Sequence, residues 1–398
     1  MRGRWWRVGS AFALAAGTLL GVVGGLAVAP AGAANAQINL GVVCSCTGPE
    51  ASSTSTSAPA LQAWADSVNA AGGINGHHVN LIVEDDQTNP GTSLAEVETL
   101  VGQDHVIAIF DNSDVDNSWE TYVQQHHVPV VGSYADSIAM YTNPDFFSQG
   151  TTYNWGTADT IFLAKKAHIK KFADLYCAEV AICGQGIPML RAAAAKNGLA
   201  LSYTAAIGFA APNYTAECLA AQQSGADGML VGDASAIVVK VANNCAAQNY
   251  SPTEISGDGT VSSAWLTTPS MNGNLDYQPN IPFFVDNTPA TKQMYAAIKK
   301  YSPALASSPN FGEVAVEAWS SGKLFQAAAA AGHFTATPTA AEVIAGLYNL
   351  HGATLGGLAP PLTYTKGKPT TTINCVFVMG IKNGKWTLPL GDQTYCPK

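Results

Sequence analysis

The residues that suggest a chemical role are polar side chains that directly follow buried apolar runs. Four such candidates for ligand binding are Ser113, Tyr134, Asp136 and Asp258. In open sheets of parallel strands, ligands bind beyond the carboxyl ends of the strands, where helix amino termini present unpaired N–H groups. Ser113 follows the apolar run at 106–110 and precedes a predicted helix, so its hydroxyl and the neighbouring amides are suited to bind a carboxylate. Capping of that helix by Ser113 is the alternative, because both roles use the same geometry.

Sequence motifs of catalysis and of metal binding are not found in the chain. It contains no G-x-S-x-G nucleophile elbow, no Walker loop and no H-E-x-x-H zinc motif. The pairs at 77–78 and 126–127 are adjacent histidines, and neighbouring side chains point in different directions, so neither pair is a good metal clamp. Cys44-Ser45-Cys46 could contribute to a metal site, but no second pair completes a tetrahedral set of ligands. We therefore predict no catalytic residue, no metal and no cofactor.

Composition and charge exclude further classes of protein. Only 12% of the 398 residues are Asp, Glu, Lys or Arg, against roughly 25% in an average soluble domain. The formal net charge is −9 with 19 basic residues, which argues against binding to nucleic acid and to anionic membrane surfaces. Because the chain is longer than one ordinary domain, we expect two packed units.

The amino terminus, residues 1–36, is predicted to be a secretory signal peptide. Three Arg residues precede an apolar stretch at 11–28, and small residues at 31–36 offer A-x-A cleavage sites. A retained membrane anchor is the alternative, since the stretch is almost long enough to span a bilayer. Cleavage would remove three Arg and no acidic residue, which takes the net charge from −9 to −12. No Cys directly follows the apolar stretch, so we expect a secreted protein of the periplasm or cell envelope without a lipid anchor.

Eight Cys in an exported chain indicate disulfide bonds, because export leads to an oxidising compartment. Pairing between near neighbours is the simplest arrangement and gives Cys177–Cys183, Cys218–Cys245 and Cys375–Cys396. This arrangement leaves Cys44 and Cys46 without an assigned partner.

The elements that would position these residues alternate regularly after the predicted signal peptide. Apolar, β-branched runs predict strands at 38–43, 79–83, 106–110, 128–131, 172–176, 201–206, 228–231 and 254–256. Stretches of helical period lie between them, and Ser93 with Glu96 predicts a capping box at the start of one helix. The pattern lapses around 143–158 and then restarts. Consecutive βα units on both sides of this lapse indicate two parallel sheets covered by helices.

Three ordered motifs in the first third of the chain carry a family resemblance. They are Thr-Gly-Pro at 47–49, Asn-Ala-Ala-Gly-Gly-Ile-Asn-Gly at 69–76 and Glu-Asp-Asp-Gln-Thr-Asn-Pro at 84–90. In this order, the motifs resemble the opening of the leucine/isoleucine/valine-binding proteins, which are extracytoplasmic solute-binding components of ABC importers. The resemblance extends through nearly all of the remaining chain, although Cys183 stands where many relatives have a Tyr in the cleft.

This resemblance implies an α/β type I periplasmic-binding fold with two Rossmann-like, doubly wound lobes, a hinge and a cleft between the lobes. By position, lobe I covers 38–155 plus 283–358, and lobe II covers 156–282 plus 359–398. Members of the family trap their ligand in the cleft when the lobes close.

The resemblance also implies roles for the candidate residues. Ser113 matches the Ser that binds a ligand carboxylate in the family, and Asp258 matches an acidic residue that contacts a ligand ammonium. Tyr134 and Asp136 replace a small residue and a Thr that hold amino-acid ligands, and this departure argues against an α-amino acid. Ordinary turn chemistry is the alternative for Asp258, which lies between two glycines.

The function implied by the resemblance is solute binding for an ABC importer, without catalysis. The solute would be a small polar or amphipathic molecule, either like a branched-chain amino acid or of another organic class. We expect a monomer whose partners are the small-molecule ligand and the importer permease, and no nucleic acid. The alternatives are a ligand-binding sensory subunit and a secreted α/β hydrolase.

Overall fold

The computed structural model describes residues 35–132, 134, 137–152, 157–179, 182–257, 259–373 and 375–396. Asp136, Asp258 and nearly all of the predicted signal peptide lie outside the described residues. Residues 35–398 belong to one compact unit. Within the described part of the chain, no helix is long and apolar enough to cross a membrane.

The amino-terminal half of the chain builds a five-stranded sheet in which every pairing is parallel. Its strands are β1 (Ile38–Cys44), β2 (Val79–Asp85), β3 (Ile109–Asn112), β4 (Val130–Val131) and β5 (Phe146–Phe147), in the spatial order β2-β1-β3-β4-β5. The helices between them are α1 (Ala51–Thr54), α2 (Ser57–Ala70), α3 (Pro90–Gly102), α4 (Glu120–His126) and α5 (Ala139–Thr142). β1 is almost wholly buried, as expected for a central strand whose two faces are both covered by helices.

A second series of parallel strands follows. The strands are β6 (Lys171–Cys177), β7 (Ala200–Ile207), β8 (Gly228–Gly232), β9 (Thr253–Ser256) and β10 (Leu275–Gln278). The helices of this part are α6 (Thr157–Lys166), α7 (Ile182–Gln185), α8 (Ile187–Lys196), α9 (Thr215–Gln223) and α10 (Ser235–Ala247). All pairings among these five strands are parallel.

The last third of the chain adds helices that pack against α2 and strands that extend the second sheet. It contains α11 (Pro289–Tyr301), α12 (Pro303–Ala306), α13 (Glu313–Gly332), α14 (Ala340–Tyr348), β11 (His351–Ala353), β12 (Leu362–Thr363), β13 (Phe377–Lys382) and β14 (Lys385–Thr387). Helices α11 and α13 pack against α2, and α14 packs against α13. β13 and β14 join the second sheet by antiparallel pairing, which gives the order β14-β13-β10-β9-β8-β6-β7. β11 and β12 form a separate two-stranded sheet.

The predicted mixed α/β fold with two largely parallel sheets is confirmed. Among the local predictions, the capping box at Ser93 is wrong. Helix α3 begins earlier, at Pro90, where the Asn89 side chain accepts hydrogen bonds from two backbone N–H groups of the first turn. Pro is favoured at the first helical position because its fixed φ suits the helix and its missing N–H would be unpaired there. The Ser93 hydroxyl instead donates to the buried carboxylate of Asp86 at 2.9 Å.

The three predicted disulfides are present in the structure. Cys44 and Cys46, which had no assigned partner, are bonded to each other across a single residue. All eight cysteines are therefore paired, and none is available as a nucleophile or a metal ligand.

Candidate functional site

A cavity of about 150 Å³ lies at the carboxyl ends of strands from both large sheets. One wall comes from loops beyond β1, β3 and β4 and includes Glu50, Ser113, Asp114, Asp116, Tyr134 and Ser137. The opposite wall comes from β6, β8 and α8 and includes Asp174, Tyr176, Ile187, Leu190, Leu230 and Asp233. Because the carboxyl ends of parallel strands are the usual place for a ligand in such sheets, this cavity is the candidate site.

Ser113 lines the cavity, but its polar groups already have partners on its own side. Its hydroxyl donates to the carboxylate of Asp86 and accepts a hydrogen bond from the Val115 N–H at 3.1 Å. Its backbone N–H donates to the Asp111 side chain at 3.0 Å. A ligand carboxylate at Ser113 would compete with these internal hydrogen bonds. The carboxylate-binding role of Ser113 stays a prediction.

The buried carboxylate of Asp86 organises this loop. Besides Ser113 and Ser93, it accepts a hydrogen bond from the Ser45 hydroxyl at 2.8 Å and from the Thr88 N–H at 2.8 Å. Asp86 is fully buried, and a buried carboxylate is stable only when hydrogen bonds replace its hydration. These hydrogen bonds connect the loops that follow β1, β2 and β3, so they fix the wall on which Ser113 lies.

Tyr134 connects the two walls of the cavity. Its backbone N–H donates to the Asp111 carbonyl at 3.1 Å on the first side. Its hydroxyl reaches Gly259, where a Cβ atom would lie 1.5 Å from the hydroxyl oxygen. Gly259 also has φ +77°, a conformation that side chains with a Cβ rarely adopt. Position 259 therefore requires glycine both for its backbone conformation and for space.

Asp136 and Asp258 lie outside the described residues, so their predicted roles stay predictions. Described residues near them in the sequence line the cavity. Tyr134 precedes Asp136 by two residues and lines the cavity, as does Gly257, which directly precedes Asp258.

Three buried acidic residues of the cavity escaped the sequence analysis: Asp116, Asp174 and Asp233. Burial raises the pKa of each to about 7. The pKa of Asp116 is lowered in part by a hydrogen bond from the Ser137 hydroxyl, and that of Asp174 by the charge of Arg191. Asp233 directly follows β8, and this position at the end of a strand was the available indication in the sequence. Asp174 lies inside β6, where a charged residue in a buried strand was the available indication.

The cavity is acidic and has no basic counterpart. Among the described residues, no Lys, Arg or His lines it, whereas five acidic residues do. The internal positions outside the description, namely 133, 135–136, 153–156, 180–181, 258 and 374, hold no basic residue either. The apolar part of the lining comes from Ile187, Leu190 and Leu230 and from the Cys177–Cys183 disulfide.

Helices α1 and α10 meet beside the cavity through a set of hydrogen bonds. The Ser53 hydroxyl accepts from the Ser235 N–H at 3.0 Å and donates to the Gly259 carbonyl. The Ser52 hydroxyl accepts from the Ala236 N–H at 3.2 Å, and the Ser235 hydroxyl donates to the Ser52 carbonyl at 3.0 Å. The residue before α10 is alanine, which has no side-chain group for capping. The amino terminus of α10 is therefore capped by side chains of α1, the short helix that follows β1.

Comparison with known proteins agrees with this geometry. A family model described as periplasmic binding protein matches residues 37–385. The chain belongs to this family. Periplasmic binding proteins of this type I class are substrate-binding components of ABC transporters and not enzymes, which confirms the prediction of a protein without catalysis. Membership also implies a location outside the cytoplasm and a permease as partner.

Solved structures of the periplasmic binding protein class share the fold at low sequence identity. A branched-chain amino acid ABC transporter protein from Thermus thermophilus with bound valine is 15% identical, with a TM-score of 0.79 and coverage of 90% of this chain and 96% of that one. A fatty acid ABC transporter substrate-binding protein from Thermomonospora curvata is 18% identical, with a TM-score of 0.76 and coverage of 90% and 92%. An extracellular ligand-binding receptor from Verminephrobacter eiseniae is 20% identical, with a TM-score of 0.74 and coverage of 88% and 99%. No curated protein matches the chain.

Proposed function

We propose that this protein captures a small amphipathic solute in the cavity between two lobes and delivers it to the permease of an ABC importer. The observation that carries this proposal is the cavity itself, because loops from both sheets line it at the carboxyl ends of their strands. Its lining combines carboxyl groups with aliphatic side chains, which suits a solute with a polar end and an apolar body.

The proposed lobe boundaries are those given by position in the sequence: 38–155 plus 283–358, and 156–282 plus 359–398. Several observations support them. Strands β1 to β5 fall within the first range and β6 to β10 within the second. The later helices α11 and α13 pack against α2, and the final strands β13 and β14 extend the second sheet.

Closure of the lobes on the solute is the proposed mechanism. A ligand shifts a protein toward a closed form only if it makes better contacts there than in the open form. Tyr134 reaching Gly259 and the capping of α10 by Ser52 and Ser53 are contacts of the kind that closure would form. We propose that the solute and these contacts together stabilise the closed form.

The class of solute is a separate question from the fold. One structural neighbour was solved with bound valine and another is a fatty acid ABC transporter substrate-binding protein, so a shared fold accompanies different solutes. A branched-chain amino acid remains a candidate through the predicted carboxylate site at Ser113. The internal hydrogen bonds of Ser113 favour a solute without an α-carboxylate at that position.

Export as a free, monomeric protein without a lipid anchor completes the proposal. It depends on the predicted signal peptide at 1–36 and on the absence of a Cys directly after its apolar stretch. Mass spectrometry of the protein recovered from culture medium or cell envelope would identify the mature amino terminus and any attached lipid.

The decisive experiment is a binding screen with the purified secreted protein. Thermal unfolding is recorded with a panel of amino acids, amines, carboxylic acids and sugars, and isothermal titration calorimetry follows for each compound that stabilises the protein. A solute at a hundredfold excess over its dissociation constant stabilises the folded state by about 2.7 kcal/mol. A compound that is bound and returned unchanged supports the receptor function, whereas product formation would support the hydrolase.

Uptake measurements then separate an importer subunit from a sensor. Deletion of the gene should reduce uptake of the identified solute in the producing cell. If the purified protein binds the solute but deletion leaves uptake unchanged, the sensory alternative replaces the importer.

A further inference from the structure

We propose that the solute is an aliphatic diamine, whose two cationic ends pair with Asp174 and Asp233 and whose carbon chain packs against Ile187, Leu190 and Leu230. This inference rests on the proposed solute-binding function and names the chemical class of solute for the same cavity.

The charges of the lining are the first argument. Glu50, Asp114, Asp116, Asp174 and Asp233 all line the cavity, and no basic residue does among the described residues. A carboxylate withdrawn from water needs a hydrogen-bonded or oppositely charged partner, or it takes up a proton. Asp233 has one carboxylate oxygen without such a partner among the described residues. A cationic solute would supply that partner, whereas an anionic solute would meet repulsion from several sides.

An oxygen of Asp233 that is unpartnered within the described part of the chain independently supports a cationic solute. Its side chain is 8% exposed, and its Oδ1 atom accepts a hydrogen bond from the Ala234 N–H at 2.7 Å. The Oδ2 atom is buried and has no hydrogen-bond partner among the described residues. A buried carboxylate oxygen without a partner on the wall of a cavity is a site for a donor from the solute.

Asp174 supplies a second anchor at a defined separation. It lies inside β6, paired in register with Leu230 of β8, and Asp233 lies three residues beyond Leu230. At about 3.3 Å per residue, the two backbone positions are roughly 10 Å apart along the strands. Burial raises the pKa of both carboxyl groups to about 7, so each is poised to ionise when a cation approaches.

Apolar surface lies alongside these two carboxyl groups. Ile187 and Leu190 come from the start of α8, and Leu230 comes from β8. A chain of methylene groups between two ammonium ions would place its apolar part against these side chains and its charged ends near the two acids. A single ammonium ion would satisfy only one of the two acids.

The test compares three compounds with the same six-carbon chain, and valine as a reference, by isothermal titration calorimetry. The probes are 1,6-diaminohexane, hexylamine and sodium hexanoate, together with valine. We expect 1,6-diaminohexane to bind at least tenfold more tightly than hexylamine, and hexanoate and valine to bind more weakly than either amine.

Variants assign the charged contacts. We expect Asp233→Asn and Asp174→Asn each to weaken binding of the diamine at least tenfold. Hexylamine would pair with only one of the two acids, so one of the two variants should weaken its binding less than that of the diamine. The matched control is Asp392→Asn, because Asp392 is exposed and does not line the cavity. Thermal unfolding of each variant verifies that it is folded. If Asp174→Asn does not fold, Asp233→Asn alone provides the test.

Several outcomes would overturn the inference. They are tighter binding of hexanoate or valine than of the diamine, unchanged diamine affinity in either folded variant, and no binding of any of the four compounds. Tight binding of hexanoate or valine would leave the solute-binding function standing and remove only the diamine. If no compound of the whole solute panel binds, and gene deletion leaves uptake of the panel compounds unchanged, the proposed function itself would be wrong.

Discussion

The capping of α10 by serines from the other side of the cavity makes a specific prediction about ligand affinity. In the double variant Ser52→Ala, Ser53→Ala, the N–H groups of Ser235 and Ala236 lose the hydroxyls that accept from them. The Gly259 carbonyl also loses the hydrogen bond donated by Ser53. If closure of the lobes forms these contacts, the variant should close less readily on a solute.

The magnitude follows from the number of hydrogen bonds lost. Removal of a side chain that caps a helix costs typically about 1 kcal/mol, and two such hydroxyls are removed here. Loss of the buried hydrogen bond to a carbonyl adds about 1 kcal/mol. A weakening of the closed form by roughly 2 to 3 kcal/mol corresponds to a loss of affinity of about 30-fold to 150-fold.

The assay is calorimetric titration of wild type and variant with the solute identified in the binding screen. Hydrogen exchange of the first turn of α10 provides a measurement that needs no ligand, and exchange there should be faster in the variant. The matched control is Ser67→Ala, because the Ser67 hydroxyl donates to Trp64 within α2. Wild-type affinity and wild-type exchange in the double variant would refute the idea that these serines stabilise the closed form.

Three further predictions concern stability. Asp174 has its pKa raised from 3.8 to about 7, so between about pH 4 and pH 7 it ionises in the unfolded state while it keeps its proton in the folded state, and the rise in pH across this window lowers stability by up to about 4 kcal/mol. Urea unfolding of the ligand-free protein should therefore show stability falling from about pH 4 to about pH 7 and levelling off above, and Asp174→Asn should reduce this fall. An identical pH dependence in the variant would contradict the assignment. Gly259→Ala should lower stability by about 2 kcal/mol or more. In a Tyr134→Ala background the same substitution should cost less, because the clash with the Tyr134 hydroxyl is gone while the backbone strain at φ +77° remains. Removal of the Cys218–Cys245 disulfide, whose cysteines are 27 residues apart, should cost about 3.5 kcal/mol, against about 2.2 kcal/mol for Cys177–Cys183, whose cysteines are six residues apart. Only removal of Cys177–Cys183 should also alter solute binding, since that disulfide lines the cavity.

The pattern of hydrophobic residues was sufficient to predict most of the parallel strands. There is a physical reason why it did not predict β10. β10 escaped prediction because its buried strand carries Asp276 and Gln278, which have polar partners in the core. Gln278 donates to Asp276 at 2.6 Å and also to Glu313, which is 35 residues away. Partners so distant in sequence compensate for the burial of polar groups without leaving any local pattern.

Part of the candidate site was predictable because its residues follow parallel strands. Ser113 and Tyr134 follow strands, and in a parallel sheet the residues after the strands gather at one edge. Both line the cavity, although their roles toward a solute stay predictions. Asp174 lies within a strand, and Ser52 and Ser53 contact α10 only through the packing of separate parts of the chain. Such contacts depend on tertiary structure and cannot be derived from spacing along the sequence.

The buried acids of this protein show how a structural carboxylate differs from one that can recognise a solute. Asp86 is compensated internally, since hydroxyl and amide groups donate to both of its oxygens. Glu254 is buried in its neutral form instead, because burial and the neighbouring Asp276 raise its pKa well above the ordinary value. Asp174 and Asp233 are also buried, but they line a cavity that a solute can occupy. A cation placed there would favour the charged form of these two acids. Part of the binding energy would then come from stabilising carboxylates that the protein itself stabilises only in part.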